Sequence, residues 1–105
     1  MHRLTKGYKI MVKHKEFYEY IMSQIRSYLD GSITKEEFYN TCEPYYTKHA
    51  VSYHNQSFHD YFIDIVADAC LVYIDEPGLS PDENERLFHE TLKAAYVELQ
   101  KPQYF

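Results

Sequence analysis

The sequence predicts an all-α protein, a small antiparallel four-helix bundle made of a single domain that spans residues 1–105. Three observations support this fold class. Apolar residues recur at steps of three and four along four separate stretches, which is the period of an amphipathic helix. Strong capping and turn signals separate these stretches. The alternating pattern typical of a strand is not found, so we expect helices joined by short connections.

The first helix is expected from about Lys13 to Leu29. Asp30-Gly31 should end it, because glycine readily takes the left-handed conformation that follows many helices. Residues 1–13 are basic and include a glycine, so we expect them to form a loose lead-in. The apolar stripe of this helix consists of Phe17, Tyr18, Ile21, Met22, Ile25, Tyr28 and Leu29.

The second helix begins with the clearest capping signal in the chain. Thr34 is the expected N-cap, and Glu37 is its reciprocal partner three residues later. Pro44 lies in the same apolar stretch, lacks an N–H group and clashes with the preceding turn. We therefore expect a kink at Pro44, or a stop near Thr41 followed by a short second piece to about His49.

A polar connection over residues 50–56 leads to the third helix, which we expect to run to about Ile74 with Ser57 as its cap and Asp60 three residues further on. The helix is so apolar that neighbours should surround it on most sides. Its apolar positions are Phe58, Tyr61, Phe62, Ile65, Val66, Ala69, Val72 and Tyr73, widened by Ile63, Ala67, Cys70 and Ile74.

The fourth helix follows the turn signal of residues 75–78. Ser80 is placed as its N-cap and Pro81 at its first helical position, and the helix should run to about Gln100. Pro102 should end it, leaving residues 101–105 as a frayed tail. The expected apolar stripe is Leu87, Phe88, Leu92, Ala95, Tyr96 and Leu99.

Negative charge is concentrated in the second half of the chain. The formal net charge is −5, and between His54 and Leu92 Arg86 is the one Lys or Arg against nine acidic residues. Such a surface argues against direct binding of nucleic acid, whose phosphates need Lys and Arg, and it suits a basic protein partner.

The third helix carries the most distinctive part of this charge. Asp60, Asp64 and Asp68 recur at steps of four, a spacing at which like charges repel by about 0.2–0.5 kcal/mol per pair. An ordinary solvated face mixes both signs of charge, and this one does not. We therefore predict a partner-binding surface, although a plain solvated face remains the alternative. Its residues are Asp60, Asp64, Asp68, Tyr73 as an anchor, Asp75 and Glu76.

Motifs for catalysis or cofactor binding are not found. The sequence has no nucleophile motif, glycine-rich phosphate loop or zinc-type spacing, so we predict no catalytic residue, metal or cofactor, and no enzyme. The best metal candidates are His49, His54 and His59 with Asp60, but their spacing matches no standard site.

The two cysteines and the distribution of apolar residues bear on the compartment. Cys42 and Cys70 are expected to be free, buried thiols, as in a cytosolic protein. We find no signal peptide and no stretch of about 18 apolar residues that would span a membrane. The expected location is cytoplasmic, without membrane contact.

Two segments together resemble a known family. They are YLDGSITKEEF at residues 28–38 and VADACLVYIDEPGLSPDE at residues 66–83, followed by a final helix. In this order the chain resembles, over roughly residues 14–100, the immunity proteins of the colicin D type and those that accompany contact-dependent inhibition toxins. Pro44, the basic lead-in and the His-rich connection depart from the pattern.

The resemblance implies a small four-helix bundle that binds the C-terminal nuclease domain of a bacterial toxin, often one that cleaves tRNA, and blocks its active site. Such a domain is basic because it holds RNA phosphates, and carboxylates can take their place. The expected function is therefore that of an immunity protein, or antitoxin, which inhibits a basic toxin nuclease domain.

Two alternatives belong to other classes of protein. One is a helical regulator or adaptor that forms a homodimer through a surface containing Tyr45, Tyr46 and Tyr53, since tyrosine is enriched at interfaces. The other is a small metal-dependent enzyme that uses His54, His59 and Asp60. Self-association would favour the first, and a stoichiometric metal would favour the second.

Overall fold

The computed structural model describes residues 2–74 and 78–105, and the side chains of residues 15–73 and 78–105 within them. Over these ranges the protein is all-α, with four helices and no strand, which confirms the predicted fold class. The helices are α1 (His2–Leu29), α2 (Lys35–His49), α3 (residues 56–74) and α4 (Pro81–Glu98). Two short 3₁₀ turns, Ala50–Ser52 and Pro102–Tyr104, complete the described elements.

The four helices surround one aromatic-rich core. Helix α1 packs against α2 and α4, and α3 packs along α4 and touches α2. Neighbours in the chain are therefore neighbours in space, as short connections require. The largest fully buried side chains are Tyr53, Phe17, Phe38, Phe58, Phe88, Ile21, Ile25, Leu92, Leu99 and Val66.

Helix α1 ends as predicted but begins earlier than predicted. Its last residue is Leu29, and Gly31 follows with a φ of +85°, the left-handed conformation that glycine takes without strain. The helix begins at His2, whereas the sequence suggested a start near Lys13. Gly7 lies inside the helix; an interior glycine costs about 1 kcal/mol but does not by itself end a helix.

Helix α2 has the predicted capping box. The Thr34 hydroxyl accepts a hydrogen bond from the Glu37 N–H at 3.1 Å, and the Glu37 carboxylate accepts one from the Thr34 N–H at 2.9 Å. The predicted alternative of a stop near Thr41 is wrong, because the helix continues through Pro44 to His49. Pro44 is exposed, so water can hydrogen-bond to the carbonyl group that the proline leaves without a donor.

Helix α3 is one helical run with an irregular centre. Gln56–Tyr61 is α-helical, Phe62–Ala67 is π-helical and Asp68–Ile74 is α-helical again. Its N-cap is Asn55, whose side chain accepts a hydrogen bond from the Phe58 N–H at 2.9 Å. The prediction of Ser57 as the cap is therefore wrong, because the earlier Asn55 already satisfies the end of the helix.

The π-helical turn alters which side chains of α3 face the core. A π-helix closes each hydrogen-bonded ring with one residue more than an α-helix, so the 3.6-residue period fails across residues 62–67. Ile63 is 53% exposed and Ile65 is 37% exposed, and Leu71 in the following α-helical segment is 71% exposed. Because these side chains are exposed, the prediction that neighbours surround α3 on most sides is wrong.

The C-terminal residues are packed against the fold rather than frayed. Helix α4 begins at the predicted Ser80 cap and ends at Glu98, and a 3₁₀ turn over Pro102–Tyr104 follows. Tyr104 is buried, and its carbonyl group accepts a hydrogen bond from the Tyr53 hydroxyl at 2.6 Å. The buried Tyr53 also shows that the polar connection contributes to the core.

Candidate functional site

The three predicted carboxylates of α3 lie on its exposed side and are called here the acidic face: Asp60, Asp64 and Asp68. Asp60 accepts a hydrogen bond from the Gln56 amide at 2.7 Å. Asp64 and Asp68 form no hydrogen bond or ion pair with any residue in the described part of the chain. The acidic face therefore keeps most of its hydrogen-bonding capacity for another molecule.

Arg86 does not neutralise the acidic face. Its guanidinium group forms ion pairs with Glu83 at 2.9 Å and with Glu90 at 3.1 Å, and all three residues belong to α4. Hydrogen bonds from Arg86 hold the pKa of Glu83 below its ordinary value, and the two carboxylates raise the pKa of Arg86. Arg86, the one Lys or Arg between His54 and Leu92, is thus paired within its own helix.

A second cation reaches α3 from α2, and the sequence analysis missed it. Lys35 is 7% exposed, and its ammonium group donates a hydrogen bond to the Tyr73 carbonyl oxygen at 2.9 Å. A cation near the C-terminal end of a helix is favoured by the helix dipole. Lys35 therefore stabilises the end of α3. Its separation of 38 residues from Tyr73 left no local signal in the sequence.

The remaining predicted site residues are Tyr73, Asp75 and Glu76. Tyr73 is half-buried and packs against the core, so its ring belongs partly to the fold. Asp75 and Glu76 lie outside the described residues. The structure therefore groups Asp60, Asp64 and Asp68 on α3 and places Tyr73 near the C-terminal end of that helix.

Exposed apolar side chains accompany the carboxylates. Ile63 and Ile65 flank Asp64 in the sequence, and Leu71 lies three residues after Asp68. Apolar side chains grouped on the surface of a protein, with polar residues around them, are a feature of protein interfaces. The sequence analysis missed this feature, because it placed Ile65 in the apolar stripe of the helix and Ile63 in its widened apolar arc.

Open grooves border α3 where the side chains of the structure are described. One, of about 420 Å³, lies between α3 and the C-terminal 3₁₀ turn and includes Asp60, Asp64 and Tyr104 in its lining. Another, of about 590 Å³, includes Val51, His59 and Ile63. The first groove is lined by Asp60 and Asp64, the two carboxylates of the acidic face nearest the start of α3.

His59 is tied into the protein by both ring nitrogens. Its Nε2 lies 2.5 Å from the Tyr53 carbonyl oxygen, which can only accept, so this nitrogen carries the proton. In neutral His59, Nδ1 then accepts a hydrogen bond from the Tyr46 hydroxyl at 2.7 Å. Burial raises the pKa of Tyr46, and the nearby Asp60 carboxylate raises it further. Binding a metal through His59 would break one of these bonds.

The hypothesis of a metal-dependent enzyme gains no support from the other candidates. His49 packs against the ring of Tyr45 at 4.5 Å between centroids. The described ranges contain no group of three or more His, Cys, Asp or Glu residues that could hold a metal ion.

The tyrosines of the proposed dimer surface are engaged within the chain. Tyr53 is buried, Tyr46 stacks on Phe62 at 4.0 Å, and Tyr45 stacks on Tyr20 at 3.8 Å. These rings already bury much of their area against the protein itself, so Tyr53 in particular is not available to a second copy.

Both cysteines are free and buried, as predicted. Burial raises the pKa of the Cys70 thiol to about 12, and it also raises the pKa of Cys42. Both thiols are therefore protonated at neutral pH and behave as small apolar side chains.

Comparison of the chain with protein-family models, with curated proteins and with solved structures found no match. Among the described helices, none has both the length and the apolar character needed to cross a membrane.

Proposed function

We propose that the protein is an immunity protein that binds the basic nuclease domain of a bacterial toxin and blocks its RNA-binding cleft. The observation that carries the proposal is the exposure of Asp64 and Asp68 without a partner among the described residues. The proposal also draws on the family resemblance of residues 28–38 and 66–83. A cytoplasmic location goes with this function, because the tRNA to be protected is there.

The physical argument rests on charge complementarity. The spacing of Asp60, Asp64 and Asp68 costs the isolated helix a few tenths of a kcal/mol per pair, so their cluster destabilises α3 slightly. A cationic cleft adds an attractive energy that offsets this repulsion, and it attracts the acidic face over a distance of about 10 Å. The same cleft binds RNA through phosphates, so carboxylates in it exclude the substrate.

The proposal is tested by inhibition of purified nuclease domains of the colicin D and contact-dependent inhibition types, with tRNA cleavage as the readout. The wild-type protein should abolish cleavage by its cognate domain at a one-to-one ratio. The double variant Asp64→Lys/Asp68→Lys should need at least about tenfold more protein, because two attractive contacts become repulsive.

The matched control is Glu16→Lys/Glu19→Lys, which changes the net charge equally on α1. Glu19 is exposed and pairs weakly with Lys15 at 3.7 Å, so its reversal should leave the fold intact. Circular dichroism should show equal helix content in all three proteins. If the α1 variant loses inhibition as much as the α3 variant, net charge and not the acidic face is responsible. If no domain of either type is inhibited, the proposal is wrong.

A further inference from the structure

The groove between α3 and the C-terminal 3₁₀ turn is lined by acidic, aromatic and aliphatic side chains. Asp60 and Asp64 lie one helical turn apart along it, and Tyr61 and Ile65 follow them on the same helix. The opposite wall includes Gln103 and Tyr104. The groove, of about 420 Å³ and open to solvent, thus joins two carboxylates to aromatic and aliphatic surface.

The tyrosine side of the groove is held in place by hydrogen bonds. The Tyr104 hydroxyl donates to Glu98 at 2.6 Å, and the Tyr104 carbonyl accepts from Tyr53 at 2.6 Å. The rings of Tyr61 and Tyr104 meet edge to face with centroids 5.7 Å apart. A wall that is ordered before binding loses little conformational entropy when a ligand arrives.

The charges around the groove leave it negative. Lys101 influences Tyr61 electrostatically, but its ammonium group pairs with Glu98 at 2.8 Å. Asp60 accepts one hydrogen bond from Gln56, which is neutral. Asp64 has no partner among the residues described. Two carboxylates therefore face the groove, and among the described residues no cation neutralises them.

We infer that this groove receives an arginine side chain of the protein partner. A guanidinium group has five N–H donors in one plane, so it can bond to Asp60 and Asp64 together while its flat face lies against a tyrosine ring. The aliphatic stem of the arginine would pack on Ile65. A lysine has three donors on one nitrogen and cannot match that flat, two-sided contact. The inference rests on the proposed function for the identity of the partner.

The test uses N-acetyl-arginine amide as the probe and follows the backbone amides of the ¹⁵N-labelled protein by NMR. Saturable shifts should be confined to residues 60–65 and 103–104. N-acetyl-citrulline amide, which has the same shape without the charge, should give none, and N-acetyl-lysine amide should bind more weakly.

Two single variants locate the probe. Asp64→Asn should weaken arginine binding by up to about fivefold, the range for an exposed charge pair. Asp68→Asn removes the same charge from the same helix outside the groove and should leave binding unchanged.

Absence of saturable shifts, equal shifts with citrulline, or equal losses in the two variants would overturn the inference. The outcome is separable from that of the proposed function. Arginine binding without inhibition of any nuclease would leave the groove assignment standing and remove the proposed function. Inhibition of a nuclease without arginine binding would support the proposed function and overturn the groove assignment.

Discussion

Tyrosine hydroxyl groups bond to acceptors that lie far away in the chain. The Tyr18 hydroxyl donates to the Leu99 carbonyl at 2.6 Å, Tyr28 donates to Glu85, and Tyr53 donates to the Tyr104 carbonyl. Each ring contributes apolar area while its hydroxyl satisfies a group at the edge of the core. Three of the 12 tyrosines thus link distant parts of the chain through their hydroxyl groups.

The hydrogen bond from the Tyr53 hydroxyl to the Tyr104 carbonyl allows a prediction about a single hydroxyl group. Tyr53→Phe keeps the buried ring but leaves the Tyr104 carbonyl without its donor, so the free energy of unfolding should fall by about 1–2 kcal/mol. Urea denaturation followed by circular dichroism measures this change. Tyr45→Phe is the control, because its hydroxyl has no hydrogen bond within the described residues, and it should change stability by less than about 0.5 kcal/mol. Equal effects would show that the Tyr53 bond is not made in solution.

At the level of helices, most interactions between residues close in sequence were predicted, with the Ser57 cap as the exception, and interactions between distant residues were not. The capping box of Thr34, the left-handed Gly31 and the Ser80 cap depend on residues within four positions of each other, and all three are confirmed. Pro44 left a kink and a stop as local alternatives, and the structure excludes the stop. The docked Tyr104 was not predicted, because its partner Tyr53 lies 51 residues away.

Pro44 provides a prediction for α2. Replacement by alanine restores an N–H donor and removes the clash with the preceding turn, and alanine is the best helix former. Because the proline also limits the freedom of the unfolded chain, the net gain in stability should be about 1–2 kcal/mol and not the full 3. A thermal melt should show a higher Tm for Pro44→Ala. An unchanged or lower Tm would mean that the structure around Pro44 has adapted to the proline ring.

Across the whole molecule, the fold pairs most described cations of the second half and leaves the acidic face unpaired. Arg86 is bound to Glu83 and Glu90, and Lys101 is bound to Glu98. The exposure of Asp60, Asp64 and Asp68 could be predicted because a stripe at steps of four lies on one side of a helix. The exposure of Ile65 could not be predicted, since an α-helical period assigns this residue to the core.

Low pH should destabilise the fold through protonation of Glu98. Lys101 and Tyr104 donate hydrogen bonds to this carboxylate and hold its pKa below the ordinary value. A carboxyl group with a lowered pKa in the folded state stabilises the fold above its unfolded pKa. That contribution is lost as pH falls through the folded pKa. The urea midpoint should therefore fall as pH is lowered from about 5 to about 2, with Asp30 and Glu83 contributing in the same direction.

The contribution of Glu98 can be isolated by substitution. Glu98→Gln should lower the midpoint at neutral pH and make its decline with acid shallower, because one linked proton is removed. Glu16→Gln is the control, since Glu16 has no hydrogen bond or ion pair in the described part of the chain. If the slope of Glu98→Gln equals that of the wild type, the tail is not held by this carboxylate.

The π-helical turn also has a consequence for the comparison of sequences. Residues 62–67 accommodate one residue more than the same length of regular α-helix would hold, while residues 56–61 pack on the C-terminal 3₁₀ turn and residues 68–74 on α4. A homologue with a regular third helix would therefore align with this chain across a gap of one residue. That gap would fall in the middle of an otherwise continuous helix, where insertions and deletions are ordinarily rare. An alignment that forbids gaps inside helices would shift one half of α3 by one position and place isoleucines opposite aspartates.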